Sequence, residues 1–187
     1  MYFTVIIPAY KDIEGIKNAI RSIYEQEYPF FEILICADGE DGEVKELVES
    51  YKDSRIKYYF VEHQGNACLA LNEMTKIATG SVILHLDQDN TIYRNCFLRV
   101  LEEWNKEVGI VIYRINHQIG VIPKDERIEH RNIDMLNGIT RTDIAQRIEF
   151  KMQVPSADSA YYKDVEKICK NEGHKIVFIK DILGVHN

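Results

Sequence analysis

Two carboxylates one residue apart, Asp87 and Asp89, follow directly on an apolar run in the stretch Gly80-Ser-Val-Ile-Leu-His-Leu-Asp-Gln-Asp-Asn90. A short aliphatic and β-branched run that ends in Asp and Asn reads as a buried strand giving way to a loop. Both carboxylates then stand at the carboxyl end of a strand, where open parallel sheets bind their ligands. Asp-x-Asp in that place suits Mg²⁺ or Mn²⁺, hard cations that take one or two carboxylates and complete their shell with water and substrate phosphates. An acidic turn without a ligand is the competing reading, because Asp and Asn also favour loops for their own sake.

Two further strand ends offer polar groups to the same edge. Val5-Ile-Ile-Pro-Ala-Tyr-Lys-Asp12 places Pro8 where it stops the ladder and leaves Ala9, Tyr10 and Asp12 beyond it. Cys36-Ala-Asp-Gly39 puts Asp38 there too. A carboxylate at that point can accept the imide N–H of uracil or a ribose hydroxyl, or serve as an Asx turn or helix cap before Val44. The acidic run from Asp38 to Glu43 is not an EF-hand loop, since Glu43 occupies the position that requires Gly.

The elements that must position these residues alternate along the chain. Strand-like runs cover Tyr2 to Pro8, Phe31 to Ala37, Ile56 to Val61, Val82 to Leu86 and Ile110 to Ile115. Between them lie amphipathic helical stripes: Ile16, Ala19, Ile20, Ile23 and Tyr24; Val44, Leu47, Val48 and Tyr51; Ala67, Ala70, Leu71, Met74 and Ala78; Phe97, Leu98, Leu101 and Trp104. Strand and helix in alternation predict an α/β fold with a mostly parallel central sheet and helices on both faces. After Ile115 the pattern weakens. Gln118 to Asn132 is polar and reads as a loop, solvated or folded over a site as a flap. A short helix is expected within Thr142 to Phe150, a longer one from Ala157 to Glu172, and a last strand from Lys175 to Ile179, with Gly184-Val-His-Asn187 as a tail.

Composition limits the alternatives. The 187 residues, 45% hydrophobic, fit one globular domain, read as a nucleotide-sugar-binding half (1–115) and an acceptor or catalytic half (116–187). A net charge of −7 with interspersed signs argues against a nucleic-acid binder. Cys36, Cys68, Cys96 and Cys169 form no C-x-x-C pair and signal neither a zinc site nor a disulfide framework. The first residues already read as a strand, and no long apolar segment occurs, so neither a signal peptide nor a membrane span is expected and a cytoplasmic location is.

Four of these pieces in series resemble the inverting family 2 glycosyltransferases of the GT-A fold. That family shows Pro-Ala/Ser-Tyr-Asn, Asp-Asp-Gly-Ser, Asn-x-Gly-x-x-x-Ala-Arg-Asn-x-Gly, and a strand running into Asp-x-Asp. Here stand Ile7-Pro-Ala-Tyr10, Ala37-Asp-Gly-Glu40, Gln64-Gly-Asn-Ala-Cys-Leu-Ala-Leu-Asn72 and Ala78 to Asp89, in the same order and spacing. The resemblance covers the first hundred residues well and the remainder weakly. It implies a transfer of sugar from a nucleoside diphosphate donor, a UDP-sugar, to a carbohydrate or other hydroxyl acceptor, with Mn²⁺ or Mg²⁺. It assigns Pro8, Ala9, Tyr10, Asp12, Asp38 and Gly65 to the nucleotide, Asp87 to ribose or metal, and Asp89 to the metal. Pro155-Ser-Ala-Asp158 falls where the family often has Glu-Asp before a helix, which makes Asp158 the candidate base, with a helix cap as the alternative, in which case the search for the base passes to Asp134, Asp143 or Glu149. His186 resembles a late histidine that completes the metal or diphosphate shell; a polar tail residue is the other reading. Leu71, Ala37, Asn90 and Ala157 depart from the pattern. Two other functions share some of these features, a sugar-1-phosphate nucleotidyltransferase and a silent nucleotide-sugar-binding module. The first is disfavoured because no Gly-rich basic phosphate loop opens the chain.

Overall fold

Successive residues of a strand face opposite sides of its sheet, and in β1 (Phe3–Ala9) every one is buried. Phe3, Val5 and Ile7 join the core on one face and Ile6 joins the core on the other. A strand covered on both sides belongs at the centre of a parallel sheet. In this computed structural model, which describes residues 1–152 and 156–187, β1 pairs in parallel with β2 (Phe31–Asp38) and β4 (Val82–His85), and β2 with β3 (Ile56–Val61). Val5 sits opposite Ile33 on one side and Leu84 on the other.

The crossovers are α1 (Ile13–Tyr24), α2 (Gly42–Ser50) and α3 (Cys68–Ile77). The chain steps outward from β1 to β2 and β3, and α3 then returns it to β4 on the far side of β1. This reversal of strand order between β1 and β4 opens a crevice at the carboxyl ends of the strands. At the opposite end of the sheet, the buried carboxylate of Glu32 accepts from Thr4 Oγ1 at 2.8 Å, from Thr79 N–H at 2.8 Å and from Lys57 at 3.1 Å. Hydrogen bonds from Thr79, Thr4 and Lys57 outweigh its desolvation and hold its pKa below the usual carboxylate range.

The second half departs from simple alternation. It comprises β5 (Thr91–Ile92), α4 (Cys96–Glu103), β6 (Val108–His117), β7 (Gly120–Ile122), a 3₁₀ turn (Met135–Asn137), β8 (Gly138–Arg141), α5 (Thr142–Ala145), α6 (Ala157–Glu172) and β9 (Lys175–Val185). The sheet continues from β4 through β8, β6 and β9 to β5, with β8 antiparallel to both of its neighbours and β7 folded back on β6 as a hairpin. The result is an α/β sheet whose first four strands are parallel as expected and whose extension is mixed. At four residues β8 is too short to show a period. It packs closely at Gly138, where a Cβ would come within 2.7 Å of the Tyr162 ring. The loop expected over Gln118 to Asn132 contains β7, and the helix expected within Thr142 to Phe150 is a single turn. The last strand runs on to Val185, so His186 closes a strand rather than a free tail. Among the described residues no helix is long and apolar enough to cross a membrane.

Candidate active site

Three short-range devices bring the strand ends together. Beyond Pro8 the backbone turns through Lys11 at a φ of 56° into α1, whose first turn Asp12 caps by accepting Gly15 N–H at 2.9 Å. Gln88, the residue between the two carboxylates, clamps this turn: Tyr10 N–H donates to its Oε1 at 2.6 Å and its Nε2 donates to Tyr10 O at 3.2 Å. The Asp-x-Asp loop is thereby tied to the end of β1. After Asp89 the chain enters β5, which pairs with the end of β9 through Thr91 opposite Val185. Asn187 Nδ2 donates to Asp89 O at 2.6 Å, and His186 N–H to Asn116 O at 2.8 Å. A histidine almost a hundred residues away is thus fixed beside the carboxylates.

The crevice between these devices has a volume of about 450 Å³. Pro8, Ala9, Tyr10, Asp38, Gly65, Asp87, Asp89 and His186 line it, together with His63, Asn66, Ala67, Ala70 and Gln88. That size and mix of apolar wall and few convergent polar groups suit a small-molecule site. No lysine or arginine is among the lining residues. A surface depression of similar size, about 470 Å³, lies between α3 and α6. Several of its charges are matched, as in Arg147–Glu172 at 2.6 Å and Lys151–Asp164 at 3.3 Å.

The family model described as glycosyl transferase family 2 matches residues 4–165. The chain belongs to that family. An uncharacterized glycosyltransferase of Rickettsia conorii is 39% identical over 106 residues, covering 54% of this chain and 17% of the relative. TarS of S. aureus in complex with UDP aligns with a TM-score of 0.80 and 20% identity over 100% of this chain and 60% of that one. The mannosyltransferase PcManGT of Pyrobaculum calidifontis, in complex with GDP-Man and Mn²⁺, aligns with a TM-score of 0.73 and 19% identity over 98% and 56%. At such identities the likeness is one of fold, the GT-A type. The chain therefore spans only part of the relatives it matches.

Within this family 2 fold, the residues expected at the site converge with three qualifications, the first being that Asp158 is not among the lining residues, although its charge acts on Asp87. Asp12 is not among the lining residues, because its carboxylate is committed to capping α1. Asp38 lines the crevice, but its oxygens already accept Gln64 N–H at 2.6 Å and Gly65 N–H at 2.8 Å, and His63 Nδ1 lies 3.0 Å away. A carboxylate offers about four lone-pair sites, so little capacity is left for a base. Asp38 does not cap α2, a task that falls to Asp41; it fastens the turn that carries Gly65 at a φ of +70°. The alternative reading of Asp158 as a helix cap is likewise excluded, since Ser156 caps α6 by accepting Ser159 N–H at 3.3 Å. Pro155, part of the segment that pointed to Asp158, lies outside the described residues. Leu71, standing where the family has Arg, is fully buried in the core, so that position presents no charge to the crevice.

Several functional residues were not singled out from the sequence. Gln88 and Asn187 act through backbone groups, which leave no pattern. The imidazole of His63 stacks on the Tyr10 ring, with centroids 5.4 Å apart at 13°, and forms a second aromatic wall. Asp134, noted in the sequence only as a fallback for the base, lies next to His186, with Oδ2 at 3.1 Å from Nδ1.

The electrostatics follow from crowding. Desolvation, and then the charges of Asp134, Asp158 and Asp89, push the half-buried Asp87 up to about 7. Burial and Asp134 likewise raise Asp158 to about 6, against an opposing pull from His186. A carboxyl whose pKa is raised by folding contributes its full stability below the unfolded value, near 4, and loses it as pH rises through the folded value. The metal-free protein should therefore become less stable between pH 4 and 7.5, and Asp87→Asn should remove much of that loss. Urea unfolding across this range should find the variant level with wild type at pH 4 and more stable by about 2 kcal/mol at pH 7.5, after discounting for solvent screening. Parallel pH profiles would show that Asp87 is not under this strain.

Proposed function

We propose that this protein is a metal-dependent inverting glycosyltransferase that moves a sugar from a nucleoside diphosphate donor, a UDP-sugar, to a hydroxyl acceptor. One observation carries the reading. Carboxylates with raised pKa values crowd the end of a parallel sheet, at a crevice whose lining residues include no lysine or arginine. Such a site calls for a cation, and a nucleoside diphosphate is the kind of ligand that shares one. The UDP bound to TarS and the Mn²⁺ and GDP-Man bound to PcManGT, both of this fold, support the choice. Residues 1–187 are read here as one catalytic unit.

The donor set fits a hard or borderline cation. Asp89 and His186 would hold Mn²⁺ or Mg²⁺, with Asp87 as a further ligand or as the acceptor for a ribose hydroxyl. Pro8, Ala9, Tyr10 and the Gly65 turn would form the walls around the nucleoside, with His63 opposite Tyr10. Bound there, the cation supplies positive charge to the departing diphosphate.

The remaining chemistry falls to Asp158. Its carboxylate takes the proton of the acceptor hydroxyl, whose oxygen forms the new bond to the anomeric carbon from the face opposite the diphosphate. The bond from that carbon to the diphosphate oxygen breaks, its electron pair leaves with the nucleoside diphosphate, and the configuration inverts. With its pKa raised to about 6, Asp158 is a stronger base than an ordinary aspartate and is still ionised at neutral pH. Transfer should rise with pH through about 6.

Two variants test the assignment. Asp89→Ala should lose most Mn²⁺-dependent UDP affinity in isothermal titration while its urea midpoint stays near wild type, because an exposed loop carboxylate adds little to the core. Undiminished affinity would remove Asp89 from the metal shell. Asp158→Asn should bind UDP and Mn²⁺ normally yet transfer on the order of 100-fold more slowly. Full transfer by that variant would send the search for the base elsewhere.

A further inference from the structure

Asp134 is only 8% exposed, and the reaction just described makes no use of it. It opens the 3₁₀ turn Met135–Asn137. Its Oδ1 accepts Leu136 N–H at 3.0 Å, and its own N–H donates to Asn137 Oδ1 at 2.7 Å. Asn137 is fully buried and donates in turn to the carbonyls of Tyr113 and Ile122 at 2.8 and 3.1 Å. One oxygen of Asp134 is thus used in anchoring the residue, and the other faces two imidazoles. His186 Nδ1 stands 3.1 Å from Oδ2 and His117 Nε2 stands 4.0 Å from it. The two rings overlap, with centroids 4.3 Å apart at 34°.

Two histidines and a carboxylate with donor atoms within 4.8 Å of one another have the composition of a cation site of their own. The hydrogen bonding of His117 argues against it. Ile119 N–H donates to His117 Nδ1 at 3.2 Å, so that nitrogen keeps its lone pair and the neutral ring carries its proton on Nε2. Nε2 is the nitrogen turned towards Asp134, and a protonated nitrogen cannot coordinate a metal. Oδ2 is therefore an acceptor for imidazole protons rather than a ligand.

The same oxygen can select one form of His186. With the proton on Nδ1, towards Asp134, Nε2 is left as a lone pair on a side chain that lines the crevice with Asp87 and Asp89. Nδ1 is buried, and although Oδ2 is near, no acceptor lies in line with it. Hydrogen bonds in unloaded sites are often out of line and tighten when the site fills. A carboxylate behind a metal-binding histidine fixes both its tautomer and its ring orientation. We propose that Asp134 is the positioning residue of His186, holding Nδ1–H towards itself and leaving Nε2 free for the cation of the crevice. This rests on the reading of His186 as a cation ligand.

Asp134→Asn is the informative substitution. The Asn oxygen can still accept Leu136 N–H and keep the turn, while the amide NH₂ now facing His186 is a donor and favours the opposite tautomer. Long-range ¹H–¹⁵N correlation spectra of the metal-free protein, at a pH where the ring is neutral, should place the His186 proton on Nδ1 in wild type and on Nε2 in the variant. Mn²⁺ affinity in the presence of UDP should fall by about 10- to 100-fold, with the urea midpoint near that of wild type. A wild-type proton on Nε2, which needs no variant to observe, overturns the proposal, as does a tautomer unmoved in Asp134→Asn. His186→Ala tests the underlying reading and should lose at least as much Mn²⁺ affinity. If it loses none while the tautomer still switches in Asp134→Asn, the ligand reading fails and takes the proposal with it, and the moved proton distinguishes that failure from the others.

Discussion

Negative charge with no lysine or arginine among the lining residues is the constraint around which this site is built. Asp87, Asp89, Asp134 and Asp158 act on one another strongly enough that desolvation and mutual repulsion lift Asp87 to about 7 and Asp158 to about 6. Elsewhere in the molecule buried acid is matched, as Glu32 is by Thr4, Thr79 and Lys57. Asp53 is held well below the usual carboxylate range, first by Arg55. At the strand ends the lining residues include no lysine or arginine. Carboxylates left in that condition mark a functional site rather than a structural ion-pair network, and the chemistry that relieves them is a divalent cation arriving with an anionic ligand.

The fold bears this strain by making the crowded loops rigid through backbone contacts. Gln88 bonds both polar atoms of its amide to the Tyr10 backbone, so the two loops are joined directly. The pairing of β5 with β9 and the Asn187 bond to Asp89 O bind the last residues of the chain to the same loop. Those contacts turn His186 from a terminal polar residue into part of the wall. Sites held by supporting hydrogen bonds keep their geometry as charge changes within them.

The half of the molecule with strong periodicity was legible in the sequence. Strands β1 to β4 and helices α1 to α4 fall where apolar runs and amphipathic stripes placed them, because both faces of the sheet are covered and nearly every inward position is apolar. The end of each strand therefore located Pro8, Tyr10, Asp38, Asp87 and Asp89 at once. The second half was less legible for definite reasons. β5, β7 and β8 are two to four residues long and lack the unbroken apolar run that marks β4, and the Gly138 of β8 packs where a Cβ would meet the Tyr162 ring, a long-range steric requirement. Asp12 and Asp38 illustrate another limit. Both stand where sequence places them, yet Gly15 N–H engages one oxygen of Asp12, and Gln64 and Gly65 N–H engage both oxygens of Asp38. The pairing of Asp134 with His186 was not legible, because nothing in the neighbourhood of Asp134 shows that the chain will bring His186 to within 3.1 Å of it.

The account turns on whether a cation and a nucleoside diphosphate meet in the crevice between β1 and β4. A crystal structure of the wild-type protein with UDP and Mn²⁺, with data collected near the manganese absorption edge, tests this most directly. The account predicts an anomalous peak bridging the diphosphate and the Asp89 carboxylate, with His186 Nε2 turned to it and the uracil lying beside Tyr10. Manganese bound away from Asp89, or UDP seated elsewhere on the molecule, would contradict it.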